Sequence, residues 1–200
     1  MLFKNIKSNI EIVDTDFDLI FEEKVQEASG IHFTPIKVAK MAAQYLADDK
    51  SPKILDIGSG AGKFCMIGAA CTEGYFVGVE QRERLHLEAI RLSEQYKLTN
   101  VSFINTNITN IDFKDYDAFY IFNAFYENIS LFGGSIDDDI ELKRELYESY
   151  SLYVKGQLEA MPDGTKLVTY FSFGKEIPKN YIIRYTAFDE KLKMWEKLTV

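Results

Sequence analysis

Cysteine and histidine are scarce in this chain of 200 residues, with two of each. His32 and His86 lie far apart, and Cys65 and Cys71 sit six apart in an apolar stretch with helical spacing. Neither pair forms the clustered nitrogen and sulfur set of a zinc site, and no metal is expected. The cysteines read as buried thiols rather than a disulfide, which points to a reducing, cytoplasmic setting.

Long apolar runs are also missing. No stretch approaches the roughly 20 residues a membrane span needs. The opening M-L-F-K-N-I-K-S-N-I-E has neither a long apolar core nor a small-residue cleavage site, so no secretory leader is expected. Basic charge is in deficit: 31 acidic against 23 basic residues, net −8. The basic residues are scattered, whereas proteins that grip phosphates show a basic face, so charge does not favour nucleic acid. There is no G-x-S-x-G elbow, and Gly62-Lys63 is followed by Phe64, which excludes a Walker-type loop.

What is present is organised around Lys53 to Phe64, K-I-L-D-I-G-S-G-A-G-K-F. Ile54, Leu55 and Ile57 mark a strand buried on both faces. Gly58, Gly60 and Gly62 follow, then an apolar helix. A strand feeding a glycine loop and a helix brings backbone close to a cofactor at the helix N-terminus.

Around this loop, further strands are expected near 53–57, 75–79, 101–105, 116–122 and 166–172. Tyr181 to Phe188 and Leu192 to Thr199 are separated by only three residues, too few for a parallel crossover, so they form an antiparallel hairpin. Helices are expected from about Asp14 or Thr15 to Gly30, from Pro35 to Ala47 with Thr34 as cap, near 62–72 and 82–96, and from Asp137 towards Leu158. The expected fold is therefore α/β: a Rossmann-like, seven-stranded, mostly parallel sheet with an antiparallel C-terminal hairpin and helices on both faces. One domain is expected over 1–200, with a helical segment at 1–50 and the core at 51–200.

The glycines run G-x-G-x-G, and Lys63 stands where a dinucleotide fingerprint has its third glycine. Asp56 precedes the loop, and Glu80 ends the next strand 22 residues after Gly58, where an acid can accept from both ribose hydroxyls. On these residues and the terminal hairpin, the chain from about Thr34 to Val200 resembles the class I S-adenosylmethionine-dependent methyltransferases. The resemblance implies S-adenosyl-L-methionine as cofactor, held by Asp56, Gly58, Ser59, Gly60, Gly62 and Glu80, with Gln81 beside it. It places Asn107 and Ile108 at the adenine, with Asn105 as the alternative amide, and Thr34-Pro35 over the methionine end. His32 nearby is a single histidine and carries little weight.

The fourth strand ends in Asn123-Ala-Phe-Tyr126. This approximates the Asn-Pro-Pro-Tyr of amino-methyltransferases acting on adenine or glutamine, without its prolines. With Asp56 to Gly62 and Gly78-Val-Glu80, it is also similar to the Dot1-type histone-lysine methyltransferases, although their basic docking tail is absent. Either likeness assigns Asn123, Phe125 and Tyr126 to the acceptor site, and Glu127 to Asp139, with Gly133-Gly134 as hinge, to a lid. The expected activity is methyl transfer to an amino group of a protein, a basic one given the acidic surface. A nucleobase or small-molecule acceptor, and a non-catalytic cofactor-binding protein, remain open alternatives.

Overall fold

A computed structural model describes residues 2–48, 51–129 and 140–198. The seven strands are β1 (Lys53–Ile57), β2 (Tyr75–Glu80), β3 (Val101–Asn105), β4 (Ala118–Phe122), β5 (Lys166–Tyr170), β6 (Tyr181–Ala187) and β7 (Leu192–Lys197). They form one sheet in the order β3-β2-β1-β4-β5-β7-β6. β1 to β5 pair in parallel, while β7 runs antiparallel to both β5 and β6. Between them lie α5 (Lys63–Cys71), α6 (Glu83–Gln95) and α7 (Arg144–Ala160). Ahead of the sheet come α1 (Leu2–Lys7), α2 (Asp14–Asp18), α3 (Glu23–His32) and α4 (Ile36–Leu46).

The two-residue alternation of a strand sends its side chains to opposite faces. Ile54, Phe76, Ala118, Tyr120 and Val168 therefore pack under α1 to α6 on one face. Leu55, Ile57, Val77, Val79, Phe119, Ile121 and Leu167 pack under α7 on the other. The chain winds from β1 out to β3, then returns to β4 on the other side of β1. The carboxyl end of β1 is thus the point where the strand order reverses, the crevice in which open α/β sheets bind ligands.

Several boundaries differ from expectation. The expected helix over 14–30 is two helices broken at residues 19–22, and α3 runs past Gly30 to His32. Asp14 does not cap it; its carboxylate accepts at 2.9 Å from the Ile36 N–H at the start of α4 and binds Lys63. Thr34, expected as the cap of α4, instead hydrogen bonds the Tyr120 hydroxyl at 2.8 Å. α1 was not expected; it buries Phe3 and Ile6, and Phe3 lies edge-on to Phe17 and Tyr96. β4 begins at Ala118 rather than 116, because the Asp117 N–H turns to the Lys53 carbonyl. β5 stops at Tyr170, since Phe171 takes a left-handed backbone with φ of 54°. The helix expected from Asp137 is described from Arg144; its first residues, and positions 130–139 of the expected lid with the Gly133-Gly134 hinge, lie outside the described residues.

Candidate active site

The loop after β1 turns because Gly58, Gly60 and Gly62 take φ of 75°, 55° and 79°. These are left-handed values that cost other residues strain. The Gly58 and Ser59 N–H groups both donate to the Val79 carbonyl, which pins the loop to the end of β2. Glu80 fastens it further. Its Oε2 accepts from the Gly60 N–H at 3.0 Å, and its Oε1 from the Arg82 N–H at 2.8 Å. Burial pushes the Glu80 carboxyl above its ordinary range, opposed by these backbone bonds and the Arg82 charge.

A pocket of about 430 Å³ opens at this point. Its walls include Gly58, Gly60, Glu80, Gln81, Asn107 and Ile108 on one side, and Asn123, Phe125 and Tyr126 on the other. Residues expected at one site from four separate segments thus line one cavity. The loop and the acceptor segment touch closely: a Cβ on Gly58 would lie 2.8 Å from that of Ala124. A Cβ on Gly60 would lie 2.8 Å from the ring of Phe33, which comes from the segment after α3 and also lines the pocket.

Four expected cofactor residues do not line the pocket; they stand behind it. Asp56 is buried, and its Oδ2 accepts from the Cys65 thiol at 3.3 Å. Burial raises the Asp56 carboxyl to about 7, against the pull of the Cys65 bond and with a further push from the Glu80 charge. Ser59 turns its hydroxyl toward Gly78, where it has no hydrogen-bond partner among the described residues. Gly62 lets α5 approach β3, since a Cβ there would lie 2.5 Å from the Phe103 ring. Thr34 holds Tyr120, as described above.

Of the two candidate amides, Asn107 is the one at the pocket. Its Nδ2 donates to Gln81 Oε1 at 3.0 Å and to the Tyr150 hydroxyl at 2.8 Å, while its Oδ1 accepts from Thr109. Asn105 staples the carbonyls of Glu80 and Gln81. At the other end, Asn123 sits in a left-handed conformation with φ of 45°. Its side chain has no hydrogen-bond partner among the described residues. Phe125 is buried against Tyr150, and Tyr126 stacks on Phe173 with ring centroids 5.3 Å apart.

Tyr150, Tyr170, Phe171, Phe33 and Arg82 also line the pocket and had no signal of their own in the sequence, and so does Glu127, which was expected only as the start of a lid. Tyr150 reaches it from α7, 43 residues after Asn107. Among the described residues, no group of three or more histidine, cysteine or acidic side chains could hold a metal ion, and no helix is long and apolar enough to cross a membrane.

The family model of the methyltransferase domain matches residues 48–169, which run from the linker before β1 to near the end of β5. The chain belongs to this family. It is an S-adenosylmethionine-dependent methyltransferase, and its glycine loop lies at the strand-order reversal, where open α/β sheets bind ligands. An RNA methyltransferase from Salinibacter ruber, solved with S-adenosyl-L-homocysteine, is 17% identical; 82% of this chain covers 91% of that one, with a TM-score of 0.53. A putative methyltransferase, yhhF, from Escherichia coli is 12% identical, with 80% and 84% covered and a TM-score of 0.56. An rRNA methylase from Streptococcus thermophilus is 14% identical, with 80% and 95% covered and a TM-score of 0.53. At these identities the likeness to solved structures is one of fold. No curated protein matches the chain.

Proposed function

We propose that this methyltransferase transfers the methyl group to an amino group, and that a protein carries that amino group. The observation that carries the reading is Asn123. It stands at the carboxyl end of β4 in a left-handed turn, with its amide unpaired among the described residues, on the same pocket as the glycine loop. A side-chain amide can accept from an N–H and so aim the nitrogen lone pair. Methyl transfer to an amine depends mainly on such positioning. Phe122, Tyr126, Tyr170 and Phe171 supply the apolar surround, and a neutral amine is favoured over an ammonium where water is excluded. The net charge of −8 suits a basic protein partner.

The residues present fit S-adenosylmethionine. The left-handed turn at Gly58 and Gly60 brings the loop backbone to the pocket wall, within reach of the methionine part. Glu80 accepts from the Gly60 and Arg82 N–H groups, and a carboxylate has about four acceptor sites, so it keeps capacity to accept from the ribose. Ile108 offers an apolar wall for the adenine, and the bonds to Gln81, Tyr150 and Thr109 hold Asn107 rigid beside it. When bound, the cofactor supplies an electrophilic methyl group; the chain's residues orient the acceptor and exclude water.

Incubating the protein with methyl-labelled S-adenosylmethionine and a cell lysate, then separating protein, RNA, DNA and small molecules, tests the acceptor. Label is expected in basic polypeptides. Label confined to RNA would refute the protein assignment and favour a nucleobase amine, for which the aromatic rim could serve as a stacking surface.

A further inference from the structure

His32, Glu127 and Arg82 meet on the wall of the same pocket, from three separate segments. His32 ends α3, Arg82 precedes α6, and Glu127 follows Tyr126 in a single turn of 3-10 helix. His32 Nδ1 lies 3.3 Å from Glu127 Oε1, and the other oxygen, Oε2, takes an ion pair from the Arg82 guanidinium. The side chains of His32 and Glu127 are only 16% and 18% exposed. A carboxylate at this distance favours the proton on Nδ1, which leaves the lone pair on Nε2. Among the described residues nothing bonds that Nε2.

We propose that His32 is the general base of methyl transfer, oriented by Glu127, which Arg82 holds in place. The inference rests on the amino-group reading above. The other pocket groups are committed elsewhere: Glu80 to the Gly60 and Arg82 N–H groups, and the Tyr150 hydroxyl to Asn107. Burial keeps the Tyr170 hydroxyl protonated. The imidazole itself is pushed toward its neutral form, chiefly by burial, against the pull of Glu127 and with help from the Arg82 charge. It is therefore ready to accept a proton at neutral pH.

The step balances. As the acceptor nitrogen forms its bond to the methyl carbon, the carbon–sulfur bond breaks and its electron pair stays on sulfur. His32 Nε2 takes the proton that the nitrogen sheds. The positive charge that leaves sulfur reappears on the imidazolium, 3.3 Å from a carboxylate. The pocket keeps its net charge through the reaction, so little reorganisation of its charged groups is needed. Glu127 is thereby a positioning residue, and His32 a catalytic one.

The chain has only two histidines, so its imidazole spectrum is simple to assign with a His32→Gln variant. Nitrogen-15 NMR of the intact protein at neutral pH is expected to show His32 as the neutral Nδ1–H tautomer. A dominant Nε2–H tautomer, or an imidazolium, would overturn the proposal without any acceptor in hand. In the lysate-labelling assay, His32→Gln should lower transfer by at least about 100-fold, as loss of a general base does. S-adenosylhomocysteine should bind it within twofold of the unaltered chain. Glu127→Gln should move the acidic limb of the pH–rate profile to lower pH, because it removes the charge that raises the His32 pKa. Transfer retained by His32→Gln would overturn the base assignment alone, whereas no transfer by the unaltered chain would overturn the amino-group reading beneath it.

Discussion

Replacing Lys63 by methionine should detach the N-terminal cover from the glycine loop. Lys63 Nζ donates at 2.7 Å to Asp14 and at 2.7 Å to Asp18, and its side chain is 3% exposed. Asp14 also accepts from the Ile36 N–H, and Asp18 from the Ser29 hydroxyl at 2.6 Å. One ammonium thus joins α5 to α2, α3 and α4. Methionine preserves the length and loses the charge, which leaves two carboxylates facing an apolar wall. Removing one partner of a buried pair costs about 3–5 kcal/mol. Asp14 is 44% exposed and can turn to water, so the lower end, about 3 kcal/mol, is expected. For a chain of this size that lowers the melting temperature by roughly 6–12 °C. Equilibrium urea unfolding measures the loss, and hydrogen exchange locates it in residues 14–33. Affinity for S-adenosylhomocysteine should fall several-fold, because Phe33 no longer covers Gly60. Adding Asp18→Asn should recover part of the stability, since the stranded charge is then gone. A loss below about 1 kcal/mol, the size of a surface ion pair, would refute the latch.

Two glycines should separate binding from packing. Gly60→Ala drives a Cβ into the Phe33 ring at a left-handed position and should weaken S-adenosylhomocysteine binding at least about tenfold. Gly62→Ala meets the Phe103 ring and Ala89, and should cost about 1–3 kcal/mol of stability with affinity nearly unchanged in the folded fraction. Asp56 gives a pH signature. Its folded pKa of about 7 lies above its ordinary value of 3.8, so the folded chain holds a proton that the unfolded chain releases between those values. Stability should therefore fall as pH rises across that window. Asp56→Asn should flatten the slope measured by urea titration at several pH values, and an unchanged slope would show that the proton resides elsewhere.

The strand positions were legible because buried strands and their glycine turns leave short, well-separated signals. The terminal hairpin was legible from a three-residue connection. Gly58, Gly60, Glu80 and Asn123 could be placed at one end of the sheet because each ends a strand or follows one within three residues, and strand ends converge at the carboxyl edge of a parallel sheet. The N-terminal helices were harder. Phe17, Ile20, Phe21 and Val25 keep helical spacing across a break that only the long-range bonds of Asp14 and Asp18 reveal. Asp56 and Ser59 looked like ligand groups because spacing cannot say which way a side chain faces; the sheet turns Asp56 to Cys65 and the loop turns Ser59 to Gly78. The His32–Glu127 pair spans 95 residues of chain and joins two groups with no local pattern.

Isothermal titration of the unaltered chain and of Glu80→Ala with S-adenosylhomocysteine, and separately with NAD, tests the central claim most directly. Saturable binding of S-adenosylhomocysteine alone is expected, weakened by about 1–3 kcal/mol in Glu80→Ala, the size of hydrogen bonds to a charged group. Binding of NAD but not of S-adenosylhomocysteine would contradict the account.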